Sequence, residues 1–259
     1  MTQALSAPQA APPEDCAIEF GGQRLVLMPE RCVHWPEHNW LLAADLHWGK
    51  CQAFRDAGAP LPRGVLDADL AQLTAALART GAARLVVLGD LIHARAALSE
   101  AIVDDVRRWR AETTVEIALV PGNHDRGLAR TTGAKHWAIG ERRLLDAWDI
   151  ELLPPYVEVG SISLVHEPPR DPAAGPSAQC PVPSAHTIAG HLHPMLRLGG
   201  RQERLRLPAF WEQSRGDAAG STLVLPAFSR FADGASIAPG EGDRLWVVAG
   251  RSVRGLGEV

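Results

Sequence analysis

The stretch Arg84-Leu-Val-Val-Leu-Gly-Asp-Leu-Ile-His-Ala-Arg95 joins a run of aliphatic residues to a glycine and a carboxylate. Four consecutive aliphatic residues are typical of a strand that is buried on both faces, as in a parallel sheet. Gly89 permits the backbone to turn sharply where the strand ends, and Asp90 then lies at the edge of the sheet. The stretch therefore predicts an α/β sheet with a polar site at the carboxyl ends of its strands.

Four other apolar segments of the chain also end in Asp, Asn or His. The carboxyl ends of neighbouring parallel strands lie at one edge of a sheet, so such residues can converge although they are far apart in sequence. Turns after strands often contain Asp for local hydrogen-bonding reasons, but five such segments favour a shared site. The polar ends are Asp45 and His47, Asp90, Asn123 and His124, His166, and His191 and His193.

Apolar residues that recur at helical spacing lie between several of these segments. They predict amphipathic helices over residues 62–80 and 98–111, and a further helix near 141–148. The first two helices alternate with strands, which predicts parallel strands with right-handed crossovers. Beyond Leu152, short apolar runs separated by Gly- and Pro-rich turns predict a second sheet that packs on the first.

The composition is that of a chain that can form one folded domain. Its 259 residues are 46% hydrophobic, and we expect a disordered tail over residues 1–14 and a single domain over 15–259. The net charge of −4 excludes a protein that coats nucleic acid through overall positive charge, so a nucleic-acid substrate would need a local patch. The four cysteines lack paired spacing, and no apolar run approaches the roughly 18 residues of a membrane span. We expect a cytoplasmic protein without membrane association.

The donors at the strand ends predict a centre that holds two divalent ions. Oxygen and imidazole donors without thiolates suit Mn²⁺, Fe or Zn²⁺ and disfavour a closed structural zinc site. Seven or eight donors exceed what one ion takes from a protein while leaving room for substrate. Two ions about 3.5–4 Å apart can hold both oxygens of a phosphoryl displacement and lower the pKa of a shared water toward about 7. Asp90 is the candidate for a carboxylate that bridges the two ions.

These residues also form five blocks that, in this order, resemble the signature of the calcineurin-like metallophosphoesterases. The resemblance implies a metallo-dependent phosphatase-like fold, a four-layer α/β-β/α sandwich in which two mixed sheets are flanked by helices. It implies one ion held by Asp45, His47, Asp90 and His193, and another held by Asp90, Asn123, His166 and His191. It places His124 near the substrate, as general acid or as a stabiliser of the phosphoryl group. The blocks are Asp45-Leu-His47, Gly89-Asp90, Gly122-Asn123-His124-Asp125, His166 and Gly190-His191-Leu192-His193.

Finer features resemble DNA-processing members of the same superfamily. His93 is similar to a histidine that contacts the substrate phosphate in double-strand-break repair nucleases, although it could instead only orient His124. A wider set of motifs, over most of residues 24–231, resembles the ligase-associated DNA damage response endonucleases (PdeM type). The motifs are Ala-Asp-Leu-His-Trp-Gly-Lys, Gly-Asp-Leu-Ile-His-Ala-Arg, Gly-Asn-His-Asp-Arg, Val165-His-Glu-Pro-Pro169, Ala-Gly-His-Leu-His-Pro and Leu225-Pro-Ala-Phe228. This resemblance implies a manganese-dependent DNA phosphodiesterase that works beside a DNA ligase, a helicase and an exonuclease.

Basic and aromatic residues near the blocks are candidates for substrate contacts. Lys50, Arg95 and Arg126 could bind phosphate, and Trp48 could stack on a base or pack in the core. The sequence thus predicts an endonuclease that hydrolyses DNA phosphodiester bonds. A small-molecule phosphodiesterase or a nucleotide pyrophosphatase would use the same two-metal site. A non-catalytic scaffold ranks last, because the chain retains every ligand of the signature and His124.

Overall fold

The computed structural model describes residues 12–61, 64–94, 98–125, 144–169, 185–199, 205–215 and 220–258. Within these ranges two sheets face each other across an apolar core. The first sheet consists of β1 (Cys16–Phe20), β2 (Gln23–Met28), β3 (Cys32–Trp35), β4 (Trp40–Ala43), β5 (Arg84–Leu88), β6 (Glu116–Val120) and β7 (Ile150–Leu152). A 3₁₀ turn at Pro36–His38 connects β3 to β4.

The first sheet keeps its strands in chain order, from β1 to β7. Strands β1 to β4 pair antiparallel, whereas β4, β5, β6 and β7 pair parallel. The two crossover helices are α2 (Val65–Thr80) and α3 (Glu100–Glu112), close to the ranges predicted from apolar spacing. Ser99 caps α3 by accepting a hydrogen bond from the Ile102 N–H. A short helix, α1 (Lys50–Asp56), follows β4 and was not predicted.

The strands of the second sheet are β8 (Tyr156–Val159), β9 (Ile162–Val165), β10 (His186–Ala189), β11 (Met195–Leu198), β12 (Leu205–Ser214), β13 (Ser221–Val224), β14 (Arg244–Ala249) and β15 (Ser252–Glu258). They follow the order β15-β14-β12-β13-β10-β9-β8, with β11 paired to β12. Strand β10 pairs parallel with β9 and β13 and the other pairs are antiparallel, so this sheet is mixed as well.

Side-chain alternation along the strands of the first sheet divides the core into two layers. Leu85 and Val87 pack on the helical side, with Leu73 of α2 and Val106 of α3. Val86 and its alternate neighbours pack on the other side, against apolar residues of the second sheet. Because successive side chains of a strand point to opposite faces, one apolar run fills both layers. The continuous aliphatic stretch therefore belongs to a strand with both faces buried.

The predicted fold of two packed mixed sheets with helices is confirmed. Among the described residues, α2 and α3 cover the first sheet, and no helix contributes to the core between the sheets. Of the helix predicted near 141–148, residues 144–147 are helical and Trp148 lies in the turn that follows. Residues 141–143 lie outside the described residues. No helix within the described ranges is long and apolar enough to cross a membrane.

Most of the predicted tail, residues 1–11, also lies outside the described residues. At its end, Glu14 already pairs with the last hairpin: its N–H donates to the Arg251 carbonyl, and its own carbonyl accepts from the Val253 N–H. The ordered backbone of the described chain thus includes Glu14, which the predicted boundary at residue 15 left in the tail.

Candidate metal centre

The predicted strand-end residues meet at one edge of the two facing sheets. Strands β4, β5 and β6 of the first sheet and β9 and β10 of the second sheet all lead into this edge. Backbone pairing continues beyond the strands, because the Asp45 N–H donates to the Gly89 carbonyl over 3.2 Å and the His47 N–H donates to the Asp90 carbonyl over 2.8 Å. The Gly190 N–H likewise donates to the His166 carbonyl over 3.0 Å. These bonds hold the loops of each sheet in a fixed register at the site.

Three glycines allow the donor loops to approach one another closely. A Cβ atom on Gly89 would lie 2.1 Å from Nδ1 of His166, and one on Gly122 would lie 2.3 Å from Oδ1 of Asp90. A Cβ atom on Gly190 would lie 2.7 Å from Oδ2 of Asp45. The glycines that precede the donors in sequence are therefore required by the packing of the donors themselves.

The first donor group consists of Asp45, His47 and His193, with one oxygen of Asp90 beside it. Nε2 of His193 lies 3.1 Å from Oδ1 of Asp45 and 3.4 Å from Nε2 of His47. Two nitrogen ligands, each about 2.1 Å from one tetrahedral ion, are about 3.4 Å apart. The spacing of the two imidazole nitrogens is therefore that of ligands that share an ion.

The second donor group surrounds Nε2 of His166. This atom lies 2.9 Å from Oδ1 of Asn123, 3.2 Å from Nδ1 of His191 and 3.4 Å from Oδ1 of Asp90. Asp90 thus turns Oδ1 toward this group, while its Oδ2 lies 3.9 Å from Nε2 of His47 in the first group. One carboxylate faces both groups, as a bridging ligand must.

Hydrogen bonds to backbone carbonyls set the orientation of two of the imidazoles. Nδ1–H of His166 donates to the Leu88 carbonyl over 3.0 Å, and Nδ1–H of His193 donates to the Asp233 carbonyl over 2.8 Å. In the neutral form, Nε2 of each ring then carries a lone pair that faces another acceptor. Acceptors that face one another are stabilised by a cation between them, so the donor set fits divalent metal ions on its own chemistry.

Burial and neighbouring charges set the protonation of these groups. Burial lowers the pKa of His47 to about 3, against the attraction of Asp45, and burial also lowers the pKa of His191. Burial alone would raise the pKa of Asp45, but the hydrogen bond to His193 and the nearby imidazoles lower it. Burial lowers the pKa of His193, but Asp45 outweighs it and raises that pKa. Neutral His47 and His191 and charged Asp45 are thus already in the forms that bind metal, and His193 would lose its proton to a bound ion.

The two predicted catalytic histidines lie beside the first donor group. The His124 N–H donates to Oδ1 of Asp90 over 2.9 Å, and Nδ1–H of His124 donates to the His93 carbonyl over 2.6 Å. Nε2 of His124 then lies 3.8 Å from Oδ2 of Asp90, in a side chain that is 36% exposed. The rings of His93 and His124 stack with centroids 5.2 Å apart, and donor atoms of both lie within 4.8 Å of one on His47.

Two residues of the site had no predicted role. Asp125 is fully buried and accepts hydrogen bonds from the N–H groups of Leu91, Ile92 and Gly122, so it joins the loops after β5 and β6. Its position at the end of the Gly-Asn-His-Asp block is the sequence signal that could have identified it as a residue of the site. Asp233 acts on His193 through its backbone carbonyl, and a backbone contact leaves no signal in residue type.

The predicted substrate contacts differ in where the structure places them. Lys50 begins α1, where burial lowers its pKa and the charges of Asp233, Asp45 and Asp90 act on its ammonium group. Of the two alternatives predicted for Trp48, contact with a base and packing in the core, the structure shows packing in the core. Trp48 is 2% exposed and contacts the rings of two buried tryptophans, Trp109 and Trp148. Arg95 and Arg126 lie outside the described residues.

Comparison with known proteins supports the chemistry of this centre. The model of the family described as calcineurin-like phosphoesterase matches residues 39–195, a range that includes every predicted ligand. No curated protein matches the sequence significantly. Among solved structures, the Pseudomonas putida nuclease MPE superposes with a TM-score of 0.68 at 29% identity, over 94% of this chain and 100% of that chain.

Two other solved structures have lower TM-scores. Yfce, a phosphoesterase from E. coli, has a TM-score of 0.38 at 13% identity, over 85% of this chain and 97% of that chain. The protein AQ665 from Aquifex aeolicus has a TM-score of 0.37 at 18% identity, over 60% of this chain and 78% of that chain. From the family match over more than half of its length, the chain belongs to the calcineurin-like phosphoesterase family and is a metal-dependent phosphodiesterase.

Proposed function

We propose that this protein is a manganese-dependent endonuclease that hydrolyses DNA phosphodiester bonds. The observation that carries the proposal is the similarity to a nuclease, MPE, over 94% of this chain. The seven donors assembled in two groups support it, six as acid and imidazole clusters and Asn123 through its contact with His166. We also propose that it acts in DNA repair in the cytoplasm, alongside a DNA ligase, a helicase and an exonuclease. The repair role and its partners rest on the motif resemblance, and the cytoplasmic location rests on cysteines without paired spacing. Fe or Zn²⁺ would be accepted by the same donors.

The proposed ligands divide between two ions that share Asp90. Asp45, His47 and His193 would hold one ion, and Asn123, His166 and His191 would hold the other. When bound, two divalent ions polarise the phosphoryl group, activate water and neutralise charge on the attacking and leaving oxygens. The role of the buried donors is to fix this clamp rigidly, since Asp45 and Asp90 are almost completely excluded from solvent.

His124 is the proposed proton donor to the leaving oxygen. The His93 carbonyl can only accept, so Nδ1 of His124 carries a hydrogen and Nε2 is the atom that faces the site. A protonated Nε2 can transfer its proton to the departing deoxyribose oxygen, which leaves His124 neutral. The backbone carbonyl of His93 orients the His124 ring for this step. The imidazole of His93 stacks on that of His124, so it could also contact a phosphate bound beside His124.

The proposal predicts that circular DNA is cut internally by the manganese-loaded protein. With circular single-stranded and duplex DNA as substrates, His124→Ala should lower the cleavage rate by about 10²–10⁴-fold, the usual contribution of a general acid. Asp90→Asn should abolish cleavage and lower the metal content measured by elemental analysis, because it removes the shared ligand. His186→Ala is the matched control, since His186 contacts Phe20 and Ser221 at the start of β10 rather than the donors.

Three results would contradict the proposal. A metal-loaded His124→Ala protein with the wild-type rate would refute the role of His124, and products released only from DNA ends would refute endonuclease action. Intact DNA in the presence of two bound ions per chain would refute the DNA substrate.

The second candidate function is a small-molecule phosphodiesterase or nucleotide pyrophosphatase, which the net charge of −4 favours. An enzyme that binds several DNA phosphates loses affinity steeply as salt rises, because binding releases counterions. Cleavage of DNA, cyclic nucleotides and dinucleotide pyrophosphates should therefore be compared across a salt series. Efficient, salt-insensitive cleavage of the small substrates with DNA left intact would establish this second function.

A further inference from the structure

Helix α1 presents an exposed aromatic ring beside the metal centre. Phe54 is 44% exposed, and the other large apolar side chains exposed to this degree in the described ranges are leucines. A phenyl ring in water forgoes a large part of the stabilisation that burial would give it. Its position next to the site, rather than on a distant surface, suggests that a ligand covers it.

A series of ring contacts connects Phe54 to the predicted reaction centre. The rings of Phe54 and His93 lie 6.3 Å apart at an angle of 33°, and His93 in turn stacks on His124. Phe231, from the loop after β13, packs edge-on against Phe54 at 5.8 Å and an angle of 79°. One imidazole therefore separates the exposed phenyl ring from the proposed proton donor, and Phe231 fixes the orientation of that phenyl ring.

The same helix also carries a cation, Lys50, at its first position. Lys50 lies four residues before Phe54, so the two side chains share one face of α1. Lys50 lines one cavity with His47, a proposed metal ligand, and with Phe231. The carboxylates of Asp45 and Asp90 are among the charges that act on its ammonium group. A cation for the backbone beside an aromatic ring for the base is the combination with which proteins bind unpaired nucleic acid.

We propose that Phe54, held in place by Phe231, stacks on the nucleobase next to the scissile phosphate. This inference rests on the proposed DNA function and adds a base-binding subsite to it. Stacking on a side chain requires a base with a free face, and every base has one when it is unpaired, so the subsite is independent of sequence. Phe54 thus takes the role that the sequence suggested for Trp48.

The test uses a short single-stranded oligonucleotide and a copy in which one nucleotide is a tetrahydrofuran abasic residue. Cleavage at each phosphate is measured on a denaturing gel with the manganese-loaded protein. For the wild type, removal of the base should reduce cleavage at one flanking phosphate by about 5- to 100-fold, the range expected for one stacked base. Phe54→Ala should reduce cleavage of the parent oligonucleotide by a similar factor, mainly through KM, and should show no further loss at the abasic residue.

Conservative and distant variants separate stacking from a structural effect. Phe54→Trp should retain cleavage and its dependence on the base, and Phe231→Ala should behave as a weaker Phe54→Ala. Leu256→Ala, at an exposed apolar position on β15, should match the wild type.

Two failures are distinguishable in this experiment. Failure of the wild type to cleave the parent oligonucleotide would overturn the proposed DNA function. The stacking subsite alone would be overturned by a different result. In it, the wild type cleaves the parent and the abasic oligonucleotides at equal rates, and Phe54→Ala loses the same factor on both.

Discussion

Five of the seven proposed metal ligands have a left-handed backbone. Their φ angles lie between +46° and +70°, a region that side chains other than glycine rarely adopt, although Asp, Asn and His tolerate it better than most residues. Each such residue costs of the order of 1 kcal/mol or more, and this strain persists where the surrounding structure fixes it. Here the glycines and the backbone bonds between loops fix it. The five residues are Asp45, His47, Asp90, His191 and His193.

Gly89→Ala should therefore lower stability and metal binding more than the same substitution at another glycine with positive φ. Gly160→Ala is the matched control, because Gly160 has φ +60°, close to the +75° of Gly89, but nothing lies within 4 Å of its added Cβ. The control should lose about 1–2 kcal/mol of unfolding free energy. Gly89→Ala should lose about 1–3 kcal/mol more, since the added carbon overlaps His166, and should also lose metal.

Urea unfolding and elemental analysis of both variants measure these effects. Equal losses of stability in the two variants, with full metal content in Gly89→Ala, would show that the contact with His166 is not what requires this glycine.

The donor side chains could be identified from the sequence because a strand end followed by Asp or His is a local signal. The environment of Trp48 could not, since adjacency to His47 says only that the two lie in the same segment. His47 has a left-handed backbone and turns its side chain to the metal centre. Trp48, held by an isolated bridge to Ile92, packs in the core against Trp109 and Trp148.

Helix α2 connects the helical layer to the loop that orients His193. Asp69, on the buried face of α2, is 3% exposed, and it interacts with the Ser229 side chain and the Arg230 N–H. The loop that contains Ser229 and Arg230 continues to Asp233, whose carbonyl accepts the hydrogen bond from His193. Asp69 therefore joins α2 to the loop that carries the carbonyl partner of His193.

The charge of Asp69 should make stability depend on pH. Burial raises the pKa of Asp69 to about 6, in spite of the Ser229 and Arg230 hydrogen bonds and the nearby arginines. Between its unfolded value of about 4 and this value, the folded protein binds more protons than the unfolded protein, so stability falls as pH rises through that window. A shift of this size corresponds to about 3 kcal/mol.

Asp69→Asn should remove this dependence and keep an acceptor for Ser229 and Arg230. Measured on the metal-free proteins, the unfolding free energy of the variant relative to the wild type should increase between about pH 4 and pH 7. Asp67→Asn, at an exposed position on the same helix, is the control and should show little change. If the unfolding free energies of Asp69→Asn and the wild type differ by the same amount across this pH range, folding does not raise the pKa of Asp69 and the prediction is wrong.

The elements that the sequence predicted are those whose pattern is long or strongly apolar. Helices α2 and α3 follow from apolar spacing alone, whereas α1 has a mixed pattern because one face carries Lys50 and Phe54 toward the site. Strand β15 contains Gly255 and Gly257, which disfavour a strand, and it forms through pairing with β14, where the register shifts at Leu245/Trp246. Such tertiary pairing is not encoded in the local pattern.

The metal centre is shared by both sheets of the molecule. Asp45, His47, Asp90 and Asn123 follow strands of the first sheet, and His166, His191 and His193 follow strands of the second. The order of the motifs along the chain implied this convergence. The way in which the sheets are held together could not be predicted, because it depends on long-range contacts between loops: the His191 N–H donates to Oδ2 of Asp45 over 2.9 Å, from one sheet to the other.

Ions bound by ligands from both sheets should act as a cross-link, so removal of metal should destabilise the whole domain. A ligand that binds only the folded state at a hundred times its Kd adds about 2.7 kcal/mol per site. Urea unfolding should therefore show a lower midpoint in EDTA than in Mn²⁺, and hydrogen exchange in EDTA should accelerate at the carboxyl ends of both β5 and β10. Asp90→Asn, which lacks the shared ligand, should lose most of this difference. Acceleration confined to one sheet would show that the ions stabilise that sheet alone, and equal midpoints with bound metal would exclude the cross-link.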